Sequence, residues 1–143
     1  MLIKILLIEH IPALQRTIKH LLAQVGYNQV SNARDSQQAL MMLRQGIFNL
    51  VLADWEIPPQ GGLALLQAIR SDAELQKLPV LVMLNEVNRD HVTAALQAGV
   101  TNLLVKPFNA AVLQEKISAI FPHNSTPNKD TSAVPQALFA RDR

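Results

Sequence analysis

A chain of 143 residues, 49% of them apolar, is long enough for one domain with a well-formed core, and its 13 basic against 11 acidic residues leave a formal charge of only +2. No run of lysines and arginines supplies the phosphate-neutralising patch that nucleic-acid binding needs, and the absence of cysteine removes disulfides, thiolate catalysis and thiolate-held metals, in keeping with a reducing cytoplasm. The N-terminal apolar run, residues 2–8, is interrupted by Lys4 and closed by Glu9, too short for a bilayer and without the layout of a signal peptide, so a cytoplasmic protein with no membrane or nucleic-acid partner is expected.

From Leu2 onward, apolar runs alternate five times with segments whose apolar residues recur at helical spacing, the pattern of βα units wound around a parallel sheet. Residues 2–8 predict a first strand covered on both faces, since the run does not alternate. Pro12 opens helix one, Leu14, Ile18, Leu21, Leu22 and Val25 line its inner face, and Gly26 ends it. Residues 29–33 predict a short, polar edge strand. Asp35 or Ser36 caps helix two, with Ala39, Leu40 and Leu43 inward and Gly46 as its stop. Leu50 to Ala53 is strand three, and after the Gly61-Gly62 turn helix three buries Leu63, Leu65, Leu66 and Ile69. Pro79 launches the most apolar strand, Val80 to Leu84, expected inside the sheet. Helix four runs from Arg89 to Ala98 with Val92, Ala95 and Leu96 as a thin apolar stripe, and Gly99 ends it. Leu103 to Val105 is strand five, and helix five buries Val112, Leu113, Ile117 and Ile120. Residues 1–121 thus form one domain. From Pro122 the composition turns polar and aperiodic, and residues 122–143 are expected to be a disordered tail.

The strand ends carry the chemistry. Strand one ends at Glu9-His10, strand three at Asp54, strand four at Leu84-Asn85 and strand five at Lys106-Pro107. In an open, doubly wound α/β sheet, ligands gather outside the carboxyl ends of the strands, and in the order 2-1-3-4-5 the ends of strands one, three and five surround one crevice. Glu9, Asp54 and Lys106 then converge: two hard carboxylates suited to Mg2+ and an ammonium suited to phosphoryl charge. A carboxylate is itself a phosphoryl acceptor, forming an acyl phosphate, when a metal neutralises the developing charge. The alternatives are an Asp54 that merely starts a turn, or a buried ion pair that ties strand ends together. The segment Glu9-His10-Ile11-Pro12-Ala13 has neither glycine nor hydroxyl, which argues against a phosphate-cradling loop and so against a nucleotide- or flavin-dependent enzyme on this sheet.

Four motifs, LVLADWEIP (50–58), LPVLVM (78–83), AALQAGV (94–100) and LVKPF (104–108), resemble the receiver domains of two-component response regulators, above all the single-domain chemotaxis type, and the resemblance runs over residues 2–121 without a gap. It implies a flavodoxin-like, three-layer (βα)5 sandwich. By the same resemblance Asp54 is the phosphoacceptor, Lys106 contacts the acceptor carboxylate or the phosphoryl group, and Lys106-Pro107 is a cis peptide. Glu9, Asp54 and the backbone carbonyl of Glu56 would hold Mg2+. The implied protein is a stand-alone receiver, not an enzyme. It takes a phosphoryl group from a sensor histidine kinase or phosphotransfer protein, and acts on an unknown downstream protein through the face made by helix four, strand five and helix five.

The departures bear on that function. Receivers usually carry two adjacent acids after strand one, where this chain has Glu9 and His10. Neutral imidazole is a poor Mg2+ ligand and its protonated form repels the ion, so a weakened Mg2+ affinity is expected. The Glu56 side chain is either a third carboxylate or a solvated turn residue, and His10 opens the option of a softer ion, Mn2+ or Zn2+. Leu84 stands where the family has a Ser or Thr hydroxyl that bonds the phosphoryl group, Asn85 replaces a small residue beside it, and Leu103 takes the aromatic switch position. Without the hydroxyl-and-ring relay, a pseudo-receiver that binds its partner without phosphorylation is the second reading, and any coupling needs another two-state element. Trp55, the only tryptophan, adjoins Asp54 and makes a natural fluorescence reporter.

Overall fold

The computed structural model describes residues 2–121, and the expected disorder of residues 122–143 falls outside them. Five strands, β1 (Lys4–Ile8), β2 (Gln29–Ala33), β3 (Leu50–Asp54), β4 (Val80–Leu84) and β5 (Asn102–Val105), alternate with five helices, α1 (Pro12–Gln24), α2 (Ser36–Gln45), α3 (Gly61–Ser71), α4 (Arg89–Gln97) and α5 (Ala110–Ile120). The strands are parallel and pair in the order β2-β1-β3-β4-β5, the doubly wound arrangement expected from the alternation.

Successive strand residues point to opposite faces of a sheet, and runs that are apolar throughout need cover on both. Leu6, Ile8, Val51, Ala53, Val82 and Leu84 therefore join the apolar layer under α2, α3 and α4, while Ile5, Leu7, Leu50, Leu52, Leu81 and Met83 join that under α1 and α5. Helices on both faces give the three-layer sandwich. Strand position follows apolar content: β3, buried along its whole length, lies in the middle, and β2, buried only at Ala33, lies at an edge.

Element bounds depart from the apolar pattern where polar side chains find local partners. β5 starts at Asn102, one residue earlier than the pattern suggests, because Asn102 Oδ1 accepts from the Leu103 amide at 2.7 Å and from Lys116 Nζ at 3.3 Å. Asp35, rather than Ser36, caps α2 by accepting from the Gln38 amide at 2.7 Å, satisfying one of the donors a helix start leaves open. Asn88 and Asn109 cap α4 and α5 in the same way. At the opposite end of the sheet from the strand termini, Arg70 donates to the carbonyls of Gly99 (2.9 Å), Gln76 (3.0 Å) and Leu78 (2.7 Å). It ties α3 to the loops that lead into β4 and β5, and burial there lowers its pKa. Among the described residues no helix is long and apolar enough to cross a membrane.

Candidate functional site

The parallel register brings the ends of β1 and β3 level: Ile8 pairs with Ala53, so Glu9 and Asp54 leave neighbouring strands side by side. Ladder hydrogen bonds continue past the strand ends, with Glu9 N donating to Ala33 O at 3.2 Å, Trp55 N to Met83 O at 2.9 Å and Lys106 N to Leu84 O at 2.8 Å. The sheet itself, not a free loop, fixes these residues. Glu9 is held further by Gln15, whose side-chain amide donates to the Glu9 carbonyl, and by the Ile11 amide, 3.3 Å from Glu9 Oε2. The chain after β3 returns tightly, with Gly62 N donating to Trp55 O at 2.7 Å. A Cβ at Gly62 would stand 2.5 Å from the Asp54 carbonyl oxygen, so only glycine lets α3 begin this close to the strand that carries Asp54.

Glu9 is fully buried and Asp54 is 2% exposed, so neither carboxyl group is solvated by bulk water. Lys106 answers both. Its Nζ lies 3.1 Å from Glu9 Oε1 and 3.0 Å from Asp54 Oδ1, with 14% of the side chain exposed. The contact with Glu9 is a hydrogen bond. That with Asp54 is an ion pair without hydrogen-bond geometry, so Asp54 Oδ1 is buried with no hydrogen-bond donor among the described residues. A buried acid that keeps an open acceptor is suited to a further cation or to chemistry at that oxygen.

His10 follows Glu9 and turns outward, its side chain 40% exposed and its Nδ1 3.9 Å from Glu9 Oε2. Ligand atoms of Glu9, His10 and Asp54 all lie within 4.8 Å of one another, so His10 belongs to the cluster. Glu56 does not: it is exposed in the turn after β3 and stands outside that group, which fits a solvated turn residue and not a third carboxylate. Leu84 and Leu103, each 1% exposed, are packed in the apolar layer under α2, α3 and α4, and Asn85 is exposed at the end of β4. Lys106-Pro107 is cis, as the resemblance implies, and Pro58-Pro59 is a second cis peptide that the sequence did not announce.

One contact escapes sequence reasoning altogether. The Trp55 ring stacks on His91 of α4, with centroids 4.8 Å apart and planes 29° from parallel. It joins the residue after Asp54 to the first turn of a helix thirty-odd positions away, and His91 lies off the apolar stripe that marks α4 in the sequence.

The family model for the response regulator receiver domain matches residues 5–118. The chain is similar to the chemotaxis protein CheY-3 of Vibrio cholerae serotype O1, with 43% identity over 118 residues that span 82% of this chain and 91% of that protein. It is similar in fold to the solved chemotaxis response regulator CheY4 of Vibrio cholerae, with a TM-score of 0.77 and 24% identity over 84% of this chain and 99% of that one. A further likeness is to the receiver domain of the sensor histidine kinase PA1611 from Pseudomonas aeruginosa, solved with a magnesium ion in its active-site cleft. There the TM-score is 0.74 and the identity 28%, over 80% of this chain and 93% of that one.

Proposed function

The chain belongs to the response regulator receiver family, and on that premise we propose that Asp54 accepts a phosphoryl group from the phosphohistidine of a sensor histidine kinase or phosphotransfer protein. The supporting observation is the position of Lys106, whose ammonium reaches both buried carboxyl groups at 3.0 and 3.1 Å. An Asp54 carboxylate oxygen attacks the phosphorus in line. The bond from phosphorus to the donor imidazole breaks with its electron pair going to that ring, which takes up a proton, and an acyl phosphate remains on Asp54. In this reading Lys106 draws one phosphoryl oxygen toward its ammonium as a compact point charge. Glu9, Asp54 and the Glu56 backbone carbonyl are the candidate holders of Mg2+, which when bound supplies the positive charge that phosphoryl transfer requires. With His10 in place of a second acid, affinity for that ion is lower than an all-carboxylate pair would give.

The output is contact with a downstream protein through the α4–β5–α5 face rather than turnover of a substrate, in a cytoplasmic setting and with no nucleic-acid partner. Leu84 and Leu103 favour a second reading, partner binding that ignores the state of Asp54, because neither buried side chain has the hydrogen-bonding group the usual relay employs. Beryllofluoride, a phosphoryl mimic, added with Mg2+ is expected to change Trp55 emission in the wild type and not in Asp54→Ala. A wild type that stays silent at high millimolar Mg2+ would sink the acceptor reading and leave the second.

A further inference from the structure

We infer that His10 makes this site one for a first-row transition ion of the Zn2+ and Mn2+ type in preference to Mg2+, an inference that rests on the reading above that a divalent ion sits beside Asp54. The two oxygens of Glu9 have different neighbours. Oε1 is held by Lys106 at 3.1 Å, whereas Oε2 accepts from the Ile11 amide at 3.3 Å and lies 3.9 Å from His10 Nδ1. That last separation is too long for a hydrogen bond. Two ligands about 2.1 Å from one ion stand up to about 4.2 Å apart, so the 3.9 Å between Oε2 and Nδ1 is within the reach of one shared ion. One ligand atom from each of Glu9, His10 and Asp54 lies within 4.8 Å of the other two, and rotation of the half-exposed imidazole can shorten the distances from His10.

Two further observations point to a ligand. Asp54 Oδ1 is buried without a hydrogen-bond donor, its contact with Lys106 being an ion pair at 3.0 Å, and among the described residues the His10 ring has no hydrogen-bond partner, its nearest recorded contact being Glu9 Oε2 at 3.9 Å. A carboxylate oxygen of Asp54 and a ring nitrogen of His10 thus lie within 4.8 Å of each other, with the Lys106 ammonium 3.0 Å from Asp54 Oδ1 on the Asp54 side. The donor set is mixed, one imidazole nitrogen with two carboxylates. Mg2+ demands an octahedron of oxygens and keeps its waters, while imidazole suits the later first-row ions, whose affinity for a given nitrogen and oxygen site rises from Mn2+ toward Zn2+. Exposure of His10 also leaves the ring free to swing onto the ion without unpacking the core.

Calorimetric titration of the whole chain with Mg2+, Mn2+ or Zn2+, each alone, tests this, with Trp55 emission as a second signal. The wild type is expected to bind Zn2+ more tightly than Mn2+ and Mn2+ more tightly than Mg2+, the outer two differing by more than about a hundredfold. His10→Ala should weaken Zn2+ by at least about tenfold and leave Mg2+ nearly unchanged, and His10→Asp should tighten Mg2+ and narrow the gap. Zn2+ affinity that is the same in His10→Ala, or Mg2+ that binds the wild type as tightly as Zn2+, overturns the inference. Zn2+ binding that survives Asp54→Ala unchanged overturns it too, since the ion would then sit elsewhere. Phosphorylation of Asp54, read separately by mass, stands or falls independently of this ion preference.

Discussion

Two neighbouring regions at the end of one sheet have been treated differently. The crevice at the carboxyl ends of β1, β3 and β5 keeps a polar trio in which the Lys106 ammonium lies 3.1 Å from Glu9 and 3.0 Å from Asp54, the two acids set side by side by the strand register. Next to it, the wall of β4 and β5, where the resemblance would place a relay, is apolar, with Leu84 and Leu103 both closed into the core. Under the proposed function, acceptance of a phosphoryl group and its transmission to a surface are separable properties of this fold. The first needs polar groups at strand ends. The second needs a polar group below them that has two arrangements, and here the only ring contact that leaves the crevice is the stack of Trp55 on His91 among the described residues.

The charged region breaks most easily at Lys106. Lys106→Ala leaves two buried carboxyl groups without their shared ammonium, and is expected to cost about 3 kcal/mol in metal-free buffer, measured by urea unfolding. Part of that loss should return when a divalent ion binds the folded state. A cost under about 1 kcal/mol, in the range of exposed pairs, would mean the trio is not coupled as described.

The apolar region is probed by giving it back what it lacks. Leu84→Thr places a hydroxyl in a closed apolar layer and should cost about 2 kcal/mol. Combined with Leu103→Tyr, it should make amide exchange across α4, β5 and α5 respond to beryllofluoride more strongly than in the wild type. An equally large response in the wild type would show that transmission does not need the restored pair. His91→Ala then decides whether the ring stack is responsible. It should cost about 1 kcal/mol and, if the stack transmits, abolish whatever exchange response α4 shows in the wild type.

Most of the fold was legible because burial on both faces leaves a simple signature. Unbroken runs such as Leu50–Ala53 and Val80–Leu84 admit little besides buried parallel strands, and Gly26 and Gly46 punctuate the helices between them. Asn102 was missed as a strand residue because its side chain is satisfied by Leu103 and Lys116, a fact of tertiary structure that periodicity does not carry. At the site, the convergence of Glu9, Asp54 and Lys106 followed from their strand-end positions once the strand order was assumed. That one ammonium serves both acids, and that His10 faces the second oxygen of Glu9, required coordinates. So did setting the Glu56 side chain apart from the cluster, since a side chain two positions past Asp54 can turn either way out of a turn. Nothing local to α4 marks His91 as a neighbour of Trp55.

The central claim concerns a single carboxylate. The whole chain incubated with acetyl phosphate and Mg2+ and then weighed intact, beside Asp54→Ala treated alike, tests it directly. The account predicts a mass gain of one phosphoryl group in the wild type, mapped to the peptide that holds Asp54 and absent from the variant. A wild type that gains no mass while Mg2+ is saturating, or a gain that persists in Asp54→Ala, would contradict it.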